Sequence, residues 1–260
     1  KKPCGSIVLL LNSSQWTLIM EESAVAGSPD NIMPEAGWPQ VWCTETAAAY
    51  ETLNLLEHPA YWKALSDLCL PFSKGKHMVD IGCAGGKLSS FLQAAACTNV
   101  DPFPPDDAKH VIKMDGVAYL QTLEDDSLDF VSVICAIHYM DRATLEHELG
   151  RVLKPEGRAI YVNVSPSSNM FGDCGFNAMF FDNWTARDAQ SGLDDKLSQQ
   201  VIWERDITHE QLSTFVAKRT WSNLAILPQE KIDSMVAAIP DDISKMSICL
   251  DVRHFCPPPP

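Results

Sequence analysis

Three aspartates mark this chain for chemistry. Asp80 lies two residues ahead of Gly82 in the run "MVDIGCAGGKLSSFL", Asp101 follows Gly82 by 19 residues, and Asp115 follows Asp101 by 14. Each stands where a short apolar run gives way to a turn. A carboxylate at the mouth of a glycine-rich loop repels a pyrophosphate and accepts hydrogen bonds from a charged amino group. A carboxylate at the end of the next strand, at this spacing, can bind the two hydroxyls of a ribose. Asp115 would then border an adenine pocket. The set asks for a ligand with ammonium, ribose and adenine but no phosphate.

The loop itself reads Gly82-Cys83-Ala84-Gly85-Gly86-Lys87. Between a strand end and a helix start it offers backbone N–H groups and the positive end of a helix dipole. Gly82 permits the turn, while Gly85 and Gly86 let a ligand approach the backbone. Ala84 stands where glycine is common, and its methyl is expected to fit with a negative φ. The glycine interval is too short for a phosphate-binding Walker loop, and Lys87 is followed by Leu88 rather than Ser or Thr. Glycine turns also join strands to helices that bind nothing. The acids set this one apart: S-adenosylmethionine (SAM) has the required parts plus a sulfonium, and Asp80 disfavours a nicotinamide dinucleotide.

These residues need strands and helices to hold them. Strands are expected at 77–81, 98–101, 110–114, 128–137 and 158–164, with helices at about 86–96, 116–123 and 142–153 between them. Alternation of this kind implies a parallel sheet with helices on both faces. Asp141 is expected to cap the helix at 142–153, whose Leu145, Leu149, Val152 and Leu153 share one face. The eight residues between Asp101 and His110, three of them proline, are too few for a helical crossover. Further on, "QQVIWERDI" reads as a strand and "THEQ" as a capping box opening a helix to about 218. Pro228 opens another helix, and "MSICLDVRHF" closes the sheet. Ahead of this domain, "SIVLLLNSSQWTLIM" reads as a hairpin, with a buried or lid-forming helix as the alternative. Helices at 44–57 and 59–70 follow.

The chain of 260 residues carries a formal charge of −14, which disfavours nucleic acid and anionic membrane surfaces as partners. Its nine cysteines form no Cys-x-x-Cys pair. They read as reduced thiols in a cytoplasmic setting, and no metal site is expected. The most apolar stretch is too short and interrupted to span a bilayer. Whether a targeting segment precedes Lys1 stays open.

The pieces "VDIGCAGG", "VDP", "MDG", "DDSLDFVSVICAIHYM" and "LGRVLKPEGRAIYVNV" occupy about residues 77–164. In order and spacing they resemble the class I SAM-dependent methyltransferases, in particular their small-molecule, type 11 branch. The resemblance implies a Rossmann-like, doubly wound, mostly parallel seven-stranded sheet with an N-terminal helical cap. Residues 1–73 would form the cap and 74–256 the SAM-binding domain. It further implies a methionine-side loop of Asp80, Gly82, Cys83, Ala84 and Gly86, a ribose contact at Asp101, and adenine contacts at Asp115 and Gly116. Pro102, Phe103 and Met114 would cover the outer face of the adenine. Cys135, Ala136 and His138 would lie beneath the sulfonium and the acceptor.

Methyl transfer needs alignment first, and a base only when the acceptor must lose a proton. His138 is the expected base or substrate partner, with Tyr50 as a second catalytic candidate. Trp42, Tyr139, Arg219 and Trp221 are candidate acceptor contacts, Arg219 through a substrate carboxylate. Packing roles compete with each of these. The expected activity is methyl transfer from SAM to a small molecule through oxygen, nitrogen or sulfur, leaving S-adenosylhomocysteine. A non-catalytic SAM-fold binder and a methyltransferase acting on a peptide are the alternatives. The oligomeric state stays open.

Overall fold

The computed structural model describes residues 58–165, 168, 199–221, 224 and 227–257. All fall within the larger of two compact units, Trp38–Pro260, the other being Lys1–Gly37. The expected hairpin at 6–20, the helix at 44–57 and the aromatic stretch at 170–184 lie outside the described residues.

Helix α1 (Pro59–Ser73) begins as its sequence dictates. His58 Nδ1 accepts from Ala60 N at 3.2 Å, and Pro59 occupies the first turn, where a missing N–H does no harm. Tyr61, Leu65 and Cys69 recur every four residues and are buried. Strand β1 (His77–Ile81) follows, then β2 (Ala96–Asp101) and β3 (Val111–Lys113). Helix α2 (Gly116–Gln121), β4 (Leu128–Ile134), α3 (Arg142–Val152) and β5 (Leu153–Val164) complete the alternating part. Then come β6 (Gln199–Asp206), α4 (His209–Ala217), α5 (Gln229–Ala237) and β7 (Lys245–Phe255).

The strands form one sheet in the order β3-β2-β1-β4-β5-β7-β6. The first five are parallel, while β7 runs antiparallel to both of its neighbours, β5 and β6. This is the doubly wound sheet expected from the alternation. Side chains of alternate residues feed two cores. On one face, Met78, Phe130, Ile160 and Val162 pack with Tyr61 and Leu65 of α1, Leu212 and Phe215 of α4, and Ile232 and Met235 of α5. On the other, Val79, Ile81, Val131, Val133 and Tyr161 pack with Leu120 of α2 and with Leu145 and Leu149 of α3.

The caps form as expected. Asp141 accepts from Thr144 N at 2.8 Å, and Thr208 and Gln211 close a reciprocal capping box. The "LKPEGR" segment is recruited into β5 with a register irregularity: Leu153 pairs with Leu128, and Arg158 already pairs with Phe130.

One expected helix is replaced. Residues 86–96 hold a single 3-10 turn, Leu88–Phe91, and β2 begins at Ala96 rather than 98. Ser89 Oγ donates to the Gly86 carbonyl and Ser90 Oγ to the Lys87 carbonyl, both at 2.7 Å. Serine side chains that bond nearby backbone in this way compete with helix propagation. The β2–β3 link has no helix either, as its length and prolines required.

Candidate active site

The first three parallel strands end together, and the site grows from those ends. Asp80 in β1, two residues ahead of Gly82, is buried, at 2 % exposure. Ser132 Oγ, on the neighbouring β4 at the paired position, donates to Asp80 Oδ1 at 2.6 Å. Oδ2 has no hydrogen-bond partner among the described residues. Burial pushes the Asp80 carboxyl up to about 7; the Ser132 hydroxyl opposes this, and the like charge of Asp101 adds to it. A buried carboxylate with one spare oxygen and an acidic neighbour can be satisfied by a proton or by a cation.

Asp101 ends β2 and grips the loop directly. Its Oδ2 accepts from Ala84 N at 2.9 Å and its Oδ1 from Phe103 N at 2.8 Å. Burial raises its carboxyl and these two N–H groups lower it, leaving it above the ordinary carboxylate range. Each oxygen retains a second lone pair, so a diol could share the carboxylate but not claim it. Asp115, at the end of β3, is exposed and caps α2 through Ala118 N at 2.9 Å. Met114 beside it is exposed and donates its N–H to the Asp101 carbonyl. Pro102 and Phe103 are half-buried next to Asp101.

Three glycines are held by contact. A Cβ on Gly82 (φ +67°) would lie 2.3 Å from Ala136 Cβ. One on Gly116 would lie 2.1 Å from Ile81 Cγ2. At Gly86 (φ +70°) the space is already filled by the Asn99 amide and the His110 imidazole, each 2.9 Å from where a methyl would sit. The left-handed φ, more than these movable side-chain ends, is what favours glycine at 86. Ala84 corrects another expectation: its φ is +48°, in the left-handed region that favours glycine.

Two thiols near Asp80 besides Cys83 are Cys69 and Cys97. Burial, with Asp80 as the next cause, raises all three, Cys97 up to about 12. They stay neutral thiols, not nucleophiles. The six cysteines among the described residues form no disulfide. Among the described residues no group of His, Cys, Asp and Glu is arranged to hold a metal ion, and no helix is long and apolar enough to cross a membrane.

The end of β4 closes the other wall. Cys135 (φ +53°) donates its N–H to the Val162 carbonyl at 2.7 Å, and Ala136 abuts Gly82. The next residues form a 3-10 turn, Ile137–Tyr139, which sets the His138 ring 4.1 Å from that of Tyr139. Loop, Asp101, Ala136 and the His138 turn are thus gathered at one edge of the sheet.

Arg219 and Trp221 take other work. The Arg219 guanidinium donates to the carbonyls of Leu224 and Leu227 and to Gln229 Oε1, clamping the α4–α5 connection. Trp221 is buried edge-on against Phe215. Neither is placed as an acceptor contact: the backbone carbonyls consume the arginine, and the core consumes the indole. Tyr50 and Trp42 lie outside the described residues. Sequence reasoning passed over Ser132, Asn99 and His110. A serine and an asparagine inside apolar strands, "FVSVI" and "TNVD", were the available signal.

Residues 79–161 match the family model described as a methyltransferase domain. No curated protein matches the chain in sequence. Among solved structures, a protein from Anaeromyxobacter dehalogenans described as a type II methyltransferase is 16 % identical. The alignment covers 76 % of this chain and 97 % of that one, with a TM-score of 0.53. A protein from Anabaena variabilis described as a methyltransferase from an antibiotic biosynthesis pathway is 14 % identical, covers 73 % and 95 %, and has a TM-score of 0.47. A SAM-dependent methyltransferase from Geobacter sulfurreducens, in complex with S-adenosylhomocysteine, is 12 % identical, covers 82 % and 98 %, and has a TM-score of 0.42. Of the three, only the first exceeds 0.5, and at its identity it establishes the fold.

Proposed function

We propose that the chain, whose residues 79–161 match a methyltransferase domain, transfers a methyl group from SAM to a small-molecule acceptor. The observation that carries the reading is the paired placement of two buried acids. Asp80, just ahead of the glycine loop, keeps one oxygen without a partner among the described residues, and Asp101 is bonded to that loop at Ala84 N. The first suits an ammonium and the second a ribose diol, and neither tolerates a phosphate nearby.

In this reading Asp80, Gly82, Cys83, Ala84 and Gly86 shape the methionine end. Asp101 takes the ribose, and Pro102 and Phe103 cover the outer face of the adenine. Met114, Asp115 and Gly116 border the adenine, and Cys135 and Ala136 form the floor. Bound SAM supplies an activated methyl carbon on a sulfonium. The chain's own task is to orient the two partners and exclude water. His138, at the wall formed by the 3-10 turn after β4, accepts the acceptor's proton where there is one to remove. Otherwise its ring fixes the acceptor's position, together with Tyr139. Tyr50 and Trp42 are proposed to close the site from the N-terminal segment.

Titration calorimetry with SAM and, separately, with NAD tests the cofactor assignment. SAM is expected to bind in the micromolar range and NAD not at all; the reverse result overturns the reading. Incubation with methyl-labelled SAM and a panel of small metabolites tests the transfer.

A further inference from the structure

The sheet face opposite Asp80 carries polar groups that the fold leaves unsatisfied. Along β5, Tyr161 and Asn163 follow Ala159 on the face covered by α2 and α3. Strand β7 sets Arg253 directly across from Tyr161, and Asp251 across from Asn163. Directly opposed residues share a face, with Cβ atoms about 4.5–5.5 Å apart. Tyr161 and Asn163 are 2 % and 1 % exposed. Among the described residues, the Tyr161 hydroxyl, both amide atoms of Asn163, and Nε and Nη1 of Arg253 are buried without a hydrogen-bond partner. Asp251 does not supply one, since its Oδ1 accepts from Gln200 Nε2 at 2.8 Å. The nearest charges on α3, Arg142 and Glu146, are paired with each other at 2.7 Å.

Native folds rarely leave one such group unpaired, and here three neighbours do so together. They offer guanidinium, phenol and amide donors, and as acceptors only the neutral phenol and amide oxygens. Their place is also informative. Val162, between Tyr161 and Asn163, accepts from Cys135 N, so the group stands level with the end of β4 and the His138 turn. Ligands of open α/β sheets bind at these carboxyl ends. With one unpaired cation and two neutral donors, the group matches a singly charged carboxylate better than a doubly charged phosphate.

We propose that Arg253, Tyr161 and Asn163 bind a carboxylate group of the methyl acceptor, the role that Arg219 is too committed to perform. The inference rests on the methyltransferase reading for the word acceptor, and on the β5–β7 geometry for the word carboxylate.

The test is thermal unfolding of the full chain in about 100 mM sodium acetate, against chloride and inorganic phosphate at equal ionic strength. Acetate is expected to raise the midpoint by about 2 °C over chloride. Arg253→Met is expected to lose that shift, to unfold no earlier than wild type in chloride, and to titrate SAM normally. Tyr161→Phe, which removes one oxygen, is expected to fold as wild type and to shrink the acetate shift. No acetate shift in wild type, an undiminished shift in both variants, or a larger shift with phosphate overturns the carboxylate site. An intact acetate response in a protein that fails to bind SAM overturns the methyltransferase reading instead.

Discussion

Replacing Asp80 with Asn should stabilise the cofactor-free protein while removing its cofactor. The Asp80 carboxyl titrates near 7 in the fold, for reasons of burial first, against about 3.9 in an unfolded chain. Between those values the folded state holds a proton that the unfolded state has lost. Stability attached to that proton is fully present below about pH 4, falls as pH rises, and is gone above about pH 7. At about 1.4 kcal/mol per unit, the ionised residue costs on the order of 4 kcal/mol at pH 8 and about 1.5 kcal/mol at pH 5. Asn is neutral throughout and still accepts from Ser132. Urea unfolding of both proteins at pH 5 and pH 8 should show the advantage of Asp80→Asn growing by about 2–3 kcal/mol across that interval. The groups facing Asp80 do not mask this: Cys69, Cys83 and Cys97 stay neutral, and Asp101 is raised in the same direction. Wild type should also release about half a proton when SAM binds at pH 7, read by calorimetry in buffers of different ionisation enthalpy. A stability difference that does not change with pH would refute the argument, since Asp80 would then be ionised normally in the fold.

Other expectations concern the same edge of the sheet. Gly82→Ala places a methyl into Ala136 at a left-handed φ, so it should destabilise by roughly 2–4 kcal/mol in urea unfolding and weaken SAM binding with it. Asp101→Asn sets an amide N–H against Ala84 N or Phe103 N, so SAM affinity should fall by about 1–3 kcal/mol in calorimetry; an unchanged affinity removes Asp101 from the ribose role. His138→Ala should lower kcat by about 10²–10⁴ on an acceptor that loses a proton, with SAM affinity nearly intact and the acidic limb of the pH–rate profile gone. An unaltered profile at full activity makes His138 a packing residue.

Much of this fold was legible because its signals are local. Asp141, the Thr208–Gln211 box and Pro228 mark helix starts through chemistry confined to a single turn. The apolar runs from 77 to 164 could only become buried parallel strands. The missing helix after the glycine loop was not legible, because Leu88 and Leu92 keep a helical spacing while Ser89 and Ser90 divert the carbonyls the helix needs. The sign of φ at Ala84 depends on Asp101 holding its N–H, a contact across 17 residues. Arg219 looked like a ligand-binding residue because nothing in "KRTWSN" reveals that Leu224, Leu227 and Gln229 curl back to meet it. Tyr161, Asn163, Asp251 and Arg253 did leave a trace: each alternates with an apolar residue in "IYVNV" and "LDVRHF". That alternation marks one face as polar, yet only the antiparallel pairing brings the two halves together.

The single 3-10 turn between β1 and β2 has a consequence for when this corner of the molecule is ordered. A full helix would lay an apolar stripe on the sheet. In its place, Asn99 Nδ2 donates to Ser89 Oγ, Ser89 to the Gly86 carbonyl, and Cys97 Sγ to Asn99 Oδ1. The turn still buries Leu88 and packs Leu92 on the core, but it lays down less apolar area than a full helix would, so this corner is expected to open at a lower free energy than the β4–β5 core. Because Asp101 and the glycine loop both belong to this corner, a ligand that grips them also sets how much of the time it is folded.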